Sequence, residues 1–214
     1  MQTLVVASRK GGAGKTTLSR SIGVMAEISG AGPVALIDTD EQAGLAMWWN
    51  ARESQTPVFA SVTIDNLKAH LESLRTAGVK LVVIDTPPGM TNESSIILQT
   101  VLPNADLVLI PVRPSPDDLR SVGATIQLVE QAKKKMIFVI NGAANRAAIS
   151  GKVAIELSQH GTVAPVMLYQ RTIFATSGID GRTAQEVEPN GNSAKEVAEL
   201  WEYVNTHLRK SIRK

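Results

Sequence analysis

The ten residues Ser8-Arg9-Lys10-Gly11-Gly12-Ala13-Gly14-Lys15-Thr16-Thr17, set directly after the apolar run Leu4-Val5-Val6-Ala7, admit few folds. A buried strand must deliver the chain to a turn where Gly11, Gly12 and Gly14 take backbone angles that side chains forbid, so that successive N–H groups converge on phosphate oxygens. Lys15 then adds a point charge for the terminal phosphates. Thr16 places a hydroxyl where a magnesium ion bridging two phosphates needs a ligand, and the helix that opens there aims its positive dipole end at the same anion. The strict pattern G-x-x-x-x-G-K-[ST] fails at its first glycine, which is Arg9 here. What stands instead is the longer string K-G-G-x-G-K-T-T, with an additional lysine, Lys10, ahead of the glycines.

With 214 residues the chain suits a single α/β domain and is short for two. Hydrophobic residues make up 43% and charged residues 20%, which argues against wholesale disorder and against a membrane protein. No apolar run approaches the roughly twenty residues of a spanning helix. Met1 leads almost at once into the first strand, so no signal peptide is expected and the protein is expected to be cytoplasmic. The absence of cysteine removes disulfides, thiolate zinc sites and iron–sulfur clusters. A formal net charge of +2 means that any nucleic-acid affinity must come from a local patch.

Apolar runs alternate with helical patterns along the whole length, the signature of a mostly parallel sheet flanked by helices on both faces. Strands are predicted at 4–7, 33–37, 79–84, 105–112, 136–140 and 163–168. Helices are predicted at 16–29, 42–53, 65–76 with Asp65 as cap, 94–102, 119–134, 150–160 and from about Ser193 onward. Trp48 and Trp49, about 100° apart on a helix, should divide between the core and an edge. The second strand runs into Asp38-Thr39-Asp40, two carboxylates at the carboxyl end of a strand, where α/β proteins place ligands. The strand at 79–84 runs into Asp85-Thr86-Pro87-Pro88-Gly89. Asp85 can hold a magnesium shell through water, and Gly89 can hinge a backbone N–H toward a γ-phosphate.

Arg113-Pro114-Ser115-Pro116-Asp117-Asp118 follows the next strand. Its prolines hold an extended shape fit for a wall against a flat ring, and Asp117 or Asp118 can cap the helix beyond. No guanine-reading N/T-K-x-D string follows the strand at 136–140, so adenine is the better fit. His70, His160 and His207 are scattered without metal-ligand spacing, and no G-x-S-x-G nucleophile elbow occurs. The segment 178–192 reads as a polar, turn-rich stretch containing Arg182 and Glu186. The last helix carries Val197, Leu200, Trp201, Val204 and Leu208 as an apolar stripe.

At Lys10 these residues resemble a family. K-G-G-x-G-K-T-T is similar to the deviant Walker A motif of the ParA/MinD ATPases, and the likeness spans the chain through D-x-D-x-Q at 38–42, D-x-P-P at 85–88, P-S-P-x-D at 114–118 and a region from Gln170-Arg171 to Gly181 and Glu186. The sequence resembles most the short ParF-like plasmid partition ATPases, and like them is expected to carry no N-terminal DNA-reading domain. Cysteine-dependent relatives, the nitrogenase iron protein and the arsenite-pump ATPase, do not fit.

The resemblance implies an ATPase using ATP and Mg2+, and a nucleotide-dependent homodimer in which Lys10 crosses to the partner's nucleotide. It implies nucleotide contacts from Lys10, Gly11, Gly12, Ala13, Gly14, Lys15, Thr16 and Thr17. Catalysis falls to Lys10, Lys15, Asp38 and Asp40, with Asp40 orienting the attacking water. The metal falls to Thr16, Asp38 and Asp85, and the adenine to Asn141 with Pro114, Pro116 and Asp118. One departure is Glu41, where the family's switch carries proline.

It further implies non-specific DNA binding on the nucleoid, a ParB-like or ParG-like adaptor that stimulates hydrolysis, and a plasmid, chromosome or protein assembly as cargo. Lys195, Arg209, Lys210, Arg213 and Lys214 could form the basic face for DNA, or simply a solvated end. The alternative is a MinD-like membrane-surface ATPase. Its lipid-inserting tail is less well matched here, where the basic end offers only Ile212. A dethiobiotin-synthetase-like ligase would need a substrate-binding insertion that the sequence does not show.

Overall fold

The computed structural model describes residues 1–89, 91–145 and 148–212, with Ser211 and Ile212 described by backbone alone. The apolar runs become parallel strands: β1 (Gln2–Val6), β2 (Val34–Asp38), β3 (Val58–Phe59), β4 (Leu81–Asp85), β5 (Leu107–Val112), β6 (Met136–Ala143), β7 (Thr162–Val163) and β8 (Leu168–Tyr169). They order as β3-β2-β4-β1-β5-β6-β7, with β8 also paired to β6. Register places Val6 opposite Asp85 and Asp38 opposite Asp85. The carboxyl ends of β1, β2 and β4 therefore stop at one level, and the two aspartates emerge side by side.

Because strand side chains alternate, each strand feeds two cores. Leu4 and Val6 join the cluster beneath α1 (Lys15–Ile28) and the last helix, with Leu18, Ile22 and Trp201. Val5 and Ala7 face the opposite cluster, with Leu98, Ile126 and Leu157. These three come from α4 (Asn92–Val101), α5 (Pro116–Gln131) and α6 (Ala148–Ser158). The remaining helices are α2 (Gly44–Asn50), α3 (Leu67–Thr76), α7 (Ile173–Thr176), α8 (Ala184–Val187) and α9 (Asn192–Ile212). Val197, Leu200, Trp201, Val204 and Leu208 of α9 are all buried, as their stripe predicts.

Several local expectations are corrected. The helix expected at 42–53 is only α2, because Ala43 enters the left-handed region (φ 53°) and Asp38 supplies acceptors to the helix start. Asp65 lies within a 3-10 turn, Ile64–Asn66, rather than capping α3. Ser115, not Asp117 or Asp118, caps α5, accepting the Asp118 N–H at 3.1 Å with Pro116 in the first turn. The strand expected at 163–168 splits into β7 and β8 around Pro165, which has no N–H for the ladder. β3, α7 and α8 have no counterpart among the expected elements. Trp48 is buried, while Trp49 stacks at the sheet edge on Phe59, ring centroids 5.7 Å apart.

Candidate functional site

The phosphate loop sits between β1 and α1 with the geometry its glycines require. Gly12 and Gly14 have φ of 76° and 91°, and a Cβ on Gly14 would collide with the side-chain amide of Asn141. That amide donates to the Ala13 carbonyl at 2.7 Å, so β6 braces the loop from outside. The two lysines of the loop differ sharply. Lys15 is buried, and burial lowers its pKa against the opposing attraction of Asp85 and then Asp40. Lys10 is exposed and makes no ion pair among the described residues.

Asp85 is the electrostatic centre. It is 1% exposed, accepts from the Thr16 hydroxyl at 2.6 Å and from Ser19 at 3.0 Å, and its backbone carbonyl receives Thr39 Oγ1 at 2.7 Å. Burial pushes its pKa up to about 7. The repulsion of Asp38 adds to the rise, and the hydroxyl of Thr16, that of Ser19 and the charge of Lys15 oppose it. Thr16 spends its proton on Asp85, which leaves its oxygen lone pairs for a cation. Ser19 lies one turn beyond Thr16 on the same face of α1, a spacing that could have marked it in the sequence.

Asp38 uses both oxygens on backbone N–H groups, of Asp40 at 3.0 Å, Leu45 at 2.9 Å and Ala46 at 3.1 Å. It thereby ties the 38–42 turn to the start of α2. Asp40 accepts the Gln42 N–H at 3.0 Å, and Glu41 is exposed. In the neighbouring loop the Gly89 N–H donates to the Arg9 carbonyl at 3.1 Å and the Arg9 guanidinium donates back to the Gly89 carbonyl. Arg9 replaces the missing first glycine and latches the loop after β4 to the phosphate loop.

Beside Gly14 and Thr17 opens a cavity of about 280 Å³. Asn141 lines it, as expected of an adenine contact. Pro114, Pro116 and Asp118 are not among its lining residues; from that segment Arg113 contributes, joined by Arg20, Tyr169, Arg171 and Phe174. Asp118 is instead held by the Ser115 hydroxyl at 2.6 Å. Glu186 pairs with Arg52 at 2.5 Å, a partner the sequence reading did not single out, and so belongs to scaffold rather than site.

Among the described residues no group of three or more His, Asp or Glu side chains could hold a metal, and no helix is long and apolar enough to cross a membrane. Of the proposed basic face, Lys195, Arg209 and Lys210 are exposed on α9, but Glu199 and Glu202 are exposed between them. Arg213 and Lys214 lie outside the described residues, as does the side chain of Ile212.

A parallel sheet whose first strand ends in a phosphate loop, with paired aspartates at the ends of the adjacent strands β2 and β4, defines the class of P-loop nucleotide-binding proteins. Within it the chain belongs to the VirC1 protein family, whose model matches residues 1–194, and so to the ParA/MinD-type ATPases of partition and positioning. It is 33% identical over 205 residues to the maintenance of carboxysome distribution protein A of Halothiobacillus neapolitanus, covering 90% of each chain. Among solved structures it is similar to the MinD cell division protein of Aquifex aeolicus, with a TM-score of 0.80, 18% identity and 96% and 98% of the two chains covered. It is likewise similar to an ATP complex of a Cyanothece McdA variant, with a TM-score of 0.71, 18% identity and 97% and 96% coverage.

Proposed function

We propose that this protein is an ATP-driven positioning ATPase whose nucleotide site is complete only between two subunits. The carrying observation is the contrast within one loop: Lys15 is buried beside Asp85, while Lys10 is exposed. A cation that enters no ion pair among the described residues of its own subunit is available to neutralise phosphate charge across a dimer, much as an arginine finger does. Lys15, the N–H groups of Gly11 to Gly14, Thr16 and Thr17 hold the phosphates, and Asn141 faces the base cavity. A magnesium ion bound with the nucleotide screens phosphate charge. Thr16 would hold it directly, with Asp85 and Asp38 through water, since the amides already on Asp38 occupy much of its capacity. Asp40 orients the attacking water, and Asp38 fixes the turn that carries Asp40.

In this reading the ATP dimer binds DNA non-specifically on the nucleoid, and an adaptor carried by the cargo stimulates hydrolysis. The carboxysome protein's name supports a protein assembly as one class of cargo beside a plasmid or chromosome. Sedimentation with plasmid DNA and with anionic liposomes, each with ATP, with ADP and for Lys15→Ala, tests the switch and the surface together. ATP-dependent pelleting with DNA, lost in Lys15→Ala, is expected. Pelleting with liposomes alone would replace this reading with the MinD-like one. Lys10→Ala should bind ATP as a monomer and fail to dimerise in analytical ultracentrifugation; a dimer hydrolysing at the normal rate would refute the crossing lysine.

A further inference from the structure

We propose that the cavity beside the phosphate loop is built for a nucleotide that carries a phosphate on its ribose in addition to the 5′-phosphates. The proposal rests on the nucleotide-binding reading of the loop and adds a ligand class to it. Three arginines, Arg20, Arg113 and Arg171, line the cavity, and no carboxylate does. Arg171 is neutralised by Glu196, which it contacts at 3.2 and 2.5 Å. Arg20 and Arg113 make no ion pair among the described residues.

Arg20 is the stronger indication. It is 9% exposed, it donates one N–H to the Phe174 carbonyl, its Nε is buried without an acceptor, and its other electrostatic support is the Trp48 ring at 5.9 Å. A guanidinium has five N–H donors, and a desolvated one with so few partners is costly unless an anion completes it. Burial lowers its pKa and no carboxylate opposes that. Arg113 reaches the cavity from the loop after β5. It passes 3.9 Å from where a Cβ on Gly142 would sit and brings Nη1 within 4.0 Å of that point on Gly12.

The base and ribose of ATP bring no negative charge to this end of the site, and the 5′-phosphates are served by the loop and Lys15. Arg20 is therefore in excess of what ATP requires, and Arg113, with Nη1 beside Gly12, spans from the phosphate loop to the cavity. Guanidinium forks match phosphate oxygens in pairs, and a ribose phosphate projects from the sugar on the side away from the triphosphate chain. The volume of about 280 Å³ lies near the lower end of small-ligand sites, ~300–1,000 Å³. A nucleotide so modified would compete with ATP for the loop and so report a second signal to the ATPase.

Calorimetric titration of the full chain with Mg2+ and ADP, and with ADP bearing a 3′-phosphate or a 2′-phosphate, tests this. One ribose-phosphorylated isomer should bind about tenfold more tightly than ADP, the effect of one charged hydrogen-bond pair. That ratio should collapse toward one in Arg113→Gln, an exposed position safe for folding, and in Arg20→Gln. ADP binding with no preference for either isomer overturns the proposal and leaves the ATP reading intact. A preference that survives both substitutions overturns the role of the arginines. Failure of every nucleotide to bind, with Lys15→Ala indistinguishable from the wild type, overturns both readings.

Discussion

Asp85 shows how much one residue's surroundings can ask of it. Its folded pKa of about 7 stands above the ordinary 3.8 because burial outweighs two hydroxyl donors and a lysine. Between those values the folded state holds a proton that the unfolded chain has released. The free energy of unfolding therefore falls as pH rises from about 4 to 7, by as much as ~1.4 kcal/mol per pH unit for one proton. Lys15, shifted downward by burial, acts with the opposite sign. Urea unfolding of the nucleotide-free protein from pH 4.5 to 7.5 should show this decline, and Asp85→Asn should flatten it. The same residue was legible in the sequence as the aspartate after Leu81-Val82-Val83-Ile84, but its two hydroxyl partners were legible only in part. Thr16 belongs to the loop motif, whereas Ser19 becomes a partner because α1 and β4 pack together.

At the scale of elements, α8 is held by a residue 134 positions away. Arg52 donates to both carboxylate oxygens of Glu186, to the Thr56 carbonyl and to the Gly181 carbonyl, and Glu186 also receives the Thr183 N–H and hydroxyl. The Arg52 side chain is 3% exposed and that of Glu186 22%. Burial pushes the Glu186 pKa up, but hydrogen bonds from Arg52 and Thr183 carry it below the ordinary value, so this pair stabilises above pH about 4.5 and is lost as pH falls further. Glu186→Gln leaves a buried guanidinium partly unpaired and should cost about 3 kcal/mol at pH 7, read from the urea midpoint. A substitution at Leu200, fully buried on α9, to Ala should cost ~2–5 kcal/mol by the same measurement. The apolar stripe of α9 was plain in the sequence. The segment 178–192 was not, because its order depends on Arg52 rather than on any local period.

For the molecule as a whole, charge placement decides how the proposed DNA contact can be made. Lys195, Arg209 and Lys210 share the exposed side of α9 with Glu199 and Glu202, so the basic face is broken rather than continuous. Binding through it should be weak and steeply salt-sensitive. Replacing Arg209 and Lys210 with Ala should lower the slope of log affinity against log salt by about 4 per dimer, one unit for each phosphate no longer neutralised. Fluorescence anisotropy with a labelled duplex at several salt concentrations reads this directly, and an unchanged slope would move the DNA surface elsewhere.

The residue string by itself determined the sheet-and-helix class, the phosphate loop and the aspartates that end two strands. Each of these depends on local rules: apolar runs bounded by glycine, backbone angles open to glycine, and a motif read in one stretch. The tertiary structure decided which side chains share a space. It brought Asn141 onto the back of Gly14 and Arg9 onto Gly89, and it set Arg20, Arg113 and Arg171 around one cavity, where Pro114, Pro116 and Asp118 were expected. Those residues come from different crossovers of a parallel sheet. Their meeting is set by strand order and register, which no short window of sequence encodes.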